Sequence, residues 1–99
     1  MKTKKAMKTR TKTLDGLRRS IDRTDSDLVR LLNRRASDAI RIGKEKRRQG
    51  IPILDPARER AILARVKRRS RGPLGDAALG AIFEEMMAAC RDLQKKARG

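Results

Sequence analysis

The chain has 99 residues, with 28 Lys+Arg against 12 Asp+Glu and a formal net charge of +16; it contains one Cys, one Phe, and no His, Trp or Tyr. That is one domain's length, without the cysteine pairs of a disulfide framework, the Cys/His ligands of a zinc site or the histidine that activates a Ser or Cys nucleophile. No apolar run is long enough to span a membrane and no apolar segment follows the basic N-terminus as in a signal peptide, so a soluble, cytoplasmic protein working without metal or cofactor is expected.

Apolar residues make up 37% of the chain, a meagre supply for a lone domain of this size. They are Leu, Ile, Val, Met and Ala at helical intervals, and β-branched or aromatic runs are missing, so the expected class is all-α. A core this small is expected to be completed by oligomerisation.

Residues 1–12 (MKTKKAMKTRTK) hold six positive charges, no negative one and no apolar periodicity. They read as a disordered basic tail preceding a helical domain over 13–97; contact with nucleic acid or an anionic surface is the sharper alternative. From Thr13 to about Arg48 one long helix is predicted. Thr13 is placed to cap it, Asp15 sits in its first turn, and Gly50 with Pro52 ends it. Such a helix is roughly 50 Å long at 1.5 Å per residue, against a radius of gyration near 13 Å for a compact domain of about 100 residues. It overshoots its own domain, and a second copy of the chain is the simplest cover.

Read in steps of four and three, the stripe of this helix is Leu14, Arg18, Ile21, Asp25, Leu28, Leu32, Arg35, Ala39, Ile42, Lys46. Burial of an unpaired charge costs several kcal/mol, so three cations on an apolar seam need a reason. Arg35 and Lys46, eleven residues apart, point the same way roughly 16 Å apart along the axis. Their long side chains can converge above the small Ala39 and Ile42, making a cationic pocket on an apolar wall suited to a small anion. The alternative is that these cations snorkel, or pair with carboxylates such as Asp25 of a neighbouring helix.

A second helix is predicted from Pro56 to about Ser70, with Asp55 as N-cap and Pro56 at N1, where its missing N–H costs nothing. Ile62, Leu63 and Val66 form its apolar side. Arg58 and Glu59 lie at its start, and Arg58 there opposes the dipole preference. Gly72-Pro73 closes the segment. A third helix is predicted from near Asp76 to about Lys96, with Leu79, Ile82, Phe83, Met86, Met87, Cys90 and Leu93 as its apolar stripe. Gln94 interrupts that stripe, on one face with Met87 and Cys90, and can both donate and accept hydrogen bonds.

The run LDGLRRSIDRTDSDLVRLLNRRASDAIRIGKEKRRQGIPILDPARERAIL, continued by IFEEMMAACRDLQ, resembles the all-helical (AroQ) class of chorismate mutases over about residues 14–94. The specific feature is the ordered set LRRSID, LLNRR, IGKEK, a Pro-bearing loop, DPARE, then the late Cys and Gln. The resemblance implies an intertwined homodimer of three-helix chains whose long first helix serves two active sites. It implies rearrangement of chorismate, a small dianion, to prephenate, feeding phenylalanine and tyrosine synthesis. The family's carboxylate-binding arginines fall on Arg35 and, donated by the partner chain, Arg18. Its catalytic lysine falls on Lys46, and Gln94 matches the residue bonding the ether oxygen. Asp55, Arg58 and Glu59 match residues that hold the loop and the substrate's hydroxyl side. Where many members have Ser, this chain has Cys90, whose thiol is a weak donor to a substrate carboxylate.

Three other readings compete, one of them a dimeric scaffold without activity. Isochorismate-pyruvate lyase shares the fold and a related pocket, although the DPARE segment and the Gly-Ile-Pro loop look more like the mutases. A basic helical nucleic-acid-binding module fits the net charge. It lacks aromatic stacking platforms, since Phe83 sits in an apolar stripe, and it shows no zinc-finger or RRM signature.

Overall fold

The structure, a computed structural model, describes residues 13–96; the expected disorder of the tail at 1–12 falls outside the described residues. Three helices follow in order, α1 (Leu14–Gln49), α2 (Pro56–Arg69) and α3 (Asp76–Lys96), with no strand among the described residues. This is the all-α, three-helix chain that the periodicity predicts.

Local chemistry sets the helix ends. The Thr13 hydroxyl accepts the Gly16 N–H at 3.2 Å, and its carbonyl accepts the Leu17 N–H at 2.8 Å, so Thr13 caps α1 as its residue type suggests. At the far end Gly50 takes φ +72°, a left-handed conformation that glycine adopts without a Cβ penalty. The Gly50 N–H then bonds the Arg47 carbonyl at 3.2 Å and the Ile51 N–H bonds the Lys46 carbonyl at 2.8 Å. These paired bonds satisfy carbonyls that the helix end would otherwise orphan. The Asp55 side chain accepts the Arg58 N–H at 3.1 Å to cap α2. Ser70 ends that helix in an extended conformation, its N–H bonded to the Val66 carbonyl.

The chain divides into two units at Arg34/Arg35, across the continuous α1. In the first unit, the described residues 13–34 are a single helical segment. Leu14, Leu17, Ile21, Leu28, Val29, Leu31 and Leu32 are all exposed on it, Leu14 to 62% and Ile21 to 59%. The predicted seam exists as a surface here, and none of it is buried.

The second unit, from Arg35 onward, holds the core. Its buried apolar side chains are Ala39 from α1, Ile62 from α2, and Met87 and Cys90 from α3. On α2 the predicted apolar side holds, with Ile62 buried and Leu63 and Val66 half-buried. The predicted stripe of α3 is corrected in part. Its buried line follows Gly80, Met87, Cys90 and Gln94, while Ile82 and Leu93 are exposed. Leu93 sits one residue from the buried Gln94, roughly 100° around the helix, and Ile82 is likewise turned off the buried line, so neither faces inward.

Gly43 is buried on α1 where α3 crosses closely. A Cβ placed there would lie 2.9 Å from the Gln94 Cβ and 3.1 Å from the Gln94 Cα. Only glycine allows the two backbones this approach. Gly43→Ala is therefore expected to destabilise by about 1–2 kcal/mol, because overpacking outweighs alanine's better helix propensity. A urea midpoint at or above that of the wild type would refute this.

Candidate active site

The second unit carries a cleft of about 440 Å³ bounded by the C-terminal half of α1, the loop to α2, α2 itself and α3. That volume is in the usual range for small-ligand sites. Ala39, Ile42, Ile62 and Met87 supply its apolar wall. Around that wall stand five cations (Arg35, Lys46, Arg58, Arg65 and Arg91) and three carboxylates (Asp38, Asp55 and Glu59), leaving a net positive lining suited to an anion.

Each polar group is held by a different element. Arg35 and Lys46 project from α1 three turns apart, as their spacing demands. The Arg35 Nη1 donates to the Cys90 Sγ of α3 at 3.3 Å. The Lys46 ammonium donates to the Ile53 carbonyl at 2.9 Å, which ties the interhelical loop to α1. Two of its three N–H groups are left for other acceptors. Asp55 and Arg58 come from the capped start of α2, and both are exposed. The Glu59 Oε2 accepts from the Arg91 Nη1 of α3 at 2.5 Å, both side chains being about one-quarter exposed.

Gln94 is the buried polar residue of this core, only 8% exposed. Its backbone carbonyl accepts from the Arg47 Nη2 at 3.3 Å. Among the described residues no enclosed side-chain nitrogen or oxygen lacks a partner. The Gln94 side chain lines the cleft.

Seven of the eight residues named from sequence, Arg35, Lys46, Asp55, Arg58, Glu59, Cys90 and Gln94, line this one cleft. The eighth, Arg18, lies on the N-terminal half of α1, exposed in its own unit; its expected role is in a partner's site. Sequence reading missed Asp38, Arg65 and Arg91. Arg91 carries a usable signal, standing four residues after Met87 on the inward face of α3. It also missed the Ile53 carbonyl, a backbone acceptor that no side chain announces. Among the described residues no group of three or more His, Cys, Asp or Glu is placed to hold a metal ion, and no helix is long and apolar enough to cross a membrane.

A helical chain with a cationic, partly apolar cleft between three helices defines a class, and comparison with known proteins gives its family. The family described as chorismate mutase type II matches residues 17–95, and the chain belongs to that family. It is 41% identical over 87 residues to a bifunctional chorismate mutase/prephenate dehydratase of Aquifex aeolicus, covering 84% of this chain and 24% of that protein. It is 32% identical over 81 residues to a chorismate mutase of Methanocaldococcus jannaschii, covering 81% of this chain and 82% of that one. Among solved structures, a chorismate mutase (form II) of Thermus thermophilus superposes with a TM-score of 0.81 at 32% identity, covering 83% of this chain and 93% of that one. The chain thus spans about a quarter of the length of the bifunctional relative.

The carboxylate of Asp55 holds the start of α2, and with it Arg58 and Glu59. Asp55→Ala is expected to cost about 1 kcal/mol, with Asp55→Asn retaining most of that stability. Thermal melting of the two variants checks this, and an unchanged midpoint for the alanine form would remove the capping role.

Proposed function

We propose that the protein is a chorismate mutase, an isomerase that converts chorismate to prephenate in the cleft of its second unit. The supporting observation is that Arg35, Lys46 and Gln94 line one net-positive cleft beside apolar residues, in a chain of this family. Chorismate is a small dianion, so cations at the rim and apolar residues at the floor complement both its charges and its ring.

The reaction is unimolecular: a C–C bond forms as the ether C–O bond breaks. It needs no nucleophile and no proton transfer. The chain's tasks are to select the reactive conformer and to stabilise negative charge gathering on the ether oxygen. Arg35, with Arg18 from a partner chain, holds the two carboxylates; the planar guanidinium fork suits such pairing. Lys46 and the Gln94 amide donate to the ether oxygen. The Ile53 carbonyl steadies the ammonium before substrate arrives, and such preorganisation gives a fixed donor its value. Asp55, Arg58 and Glu59 hold the loop and the hydroxyl side.

A homodimer accompanies this reading. A second copy would bury the apolar stripe left exposed over residues 14–32 and bring its Arg18 to the neighbouring site. The protein would act in the cytoplasm, in aromatic amino acid biosynthesis.

Mixing the purified chain with chorismate and identifying the product tests the proposal. Prephenate is expected; salicylate and pyruvate from isochorismate would instead mark a lyase. Lys46→Ala is expected to lose on the order of 10²–10³ in kcat, the scale for removing one preorganised donor, and a variant within threefold of the wild type would remove Lys46 from this role. Because an amide does not titrate, kcat is expected to change little between mildly acidic and neutral pH. A steep rise toward acid would show a protonated carboxyl group doing the work assigned to Gln94.

A further inference from the structure

The Glu59–Arg91 ion pair ties α2 to α3 at the wall of the cleft. Glu59 stands in the first turn of its helix, where the dipole favours a carboxylate. Only its Oε2 is engaged by Arg91, and a carboxylate offers roughly four acceptor positions on two oxygens. Oε1 therefore remains able to accept. Arg35, Lys46, Arg58 and Arg65 line the same cleft as this carboxylate. Without a fixed partner, Glu59 would swing toward one of them and compete with an anionic ligand for it.

We propose that Arg91 is a positioning residue, which by pairing with Glu59 directs the free carboxylate oxygen toward a ligand hydroxyl and keeps the carboxylate off the cations that bind the ligand's own carboxylates. This inference rests on the cleft being the site of the chorismate rearrangement. Arg91 acts through Glu59, so its effect falls on substrate binding more than on the bond-breaking step. The fork of an arginine suits the clamp because it can hold a carboxylate while its remaining N–H groups stay solvated.

The test is a double-mutant cycle on the full chain with chorismate as substrate, reading kcat and KM separately. Arg91→Ala is expected to raise KM on the order of tenfold, the scale for a hydrogen bond to a charged group, with kcat within about threefold. In a Glu59→Gln background the same change is expected to shift KM by less than about twofold, since no charged carboxylate remains to clamp. Arg91→Lys, which keeps the cation, is expected to recover most of the wild-type KM. Arg91→Gln replaces the alanine variant should that one melt below the assay temperature. An equal rise in KM in both backgrounds would show Arg91 meeting the substrate directly and overturn the inference. So would a loss confined to kcat, which would mark an interaction made only in the transition state. A wild-type chain that leaves chorismate unchanged overturns the cleft reading and this inference with it, whereas an active wild type with an unaffected Arg91→Ala variant overturns this inference alone.

Discussion

The close crossing of α1 and α3 at Gly43 and Gln94 is the contact on which the cleft depends. With no side chain on Gly43, the Gln94 backbone reaches van der Waals distance of α1. That approach seats the Gln94 amide at the wall, one turn from the level at which Cys90 meets Arg35. It also leaves Lys46, three residues beyond Gly43, free to bind the Ile53 carbonyl of the loop. A larger residue at position 43 would push these groups apart together, because packed backbones transmit displacement rather than absorb it.

Around that crossing, α3 acts as the element that holds the charges of the other two helices. Its adjacent residues Cys90 and Arg91 engage Arg35 of α1 and Glu59 of α2. The proposed positioning work needs this support, since a rotation of one guanidinium would misplace a bound carboxylate by more than a hydrogen bond tolerates. The thiol of Cys90 fits the same pattern. A thiol is a weak donor and a weak acceptor, and here its sulfur takes the Arg35 N–H.

The core beneath the cleft is small. Ala39, Ile62, Met87 and Cys90 are its buried apolar members. Over residues 13–34 the large apolar side chains all lie at the surface. So many large apolar side chains exposed along one helix are the mark of an interaction surface. The proposed dimer accounts for it and for the position of Arg18 by one and the same association.

Periodicity, capping residues and turn chemistry were enough to place three helices and their ends, because Thr13, Gly50, Asp55 and Pro56 act on their immediate neighbours. The i, i+4, i+7, i+11 spacing from Arg35 through Ala39 and Ile42 to Lys46 likewise settles which side chains share a face of α1. The inward line of α3 was legible only in part. Hydropathy assigns Ile82 and Leu93 to the core and overlooks Gly80, whereas the packing of α2 and α1 against the helix sets which stripe is covered. Nor could sequence pair residues far apart along the chain. Arg91 with Glu59, Arg35 with Cys90, and Lys46 with the Ile53 carbonyl are products of helix crossing, and the last uses a backbone atom common to every residue. Local order along the chain thus dictates which groups are present and which of them share a helix face. Which of those faces meet is a property of the folded chain, because close approach depends on a missing Cβ at Gly43 and on crossings that no local interaction specifies.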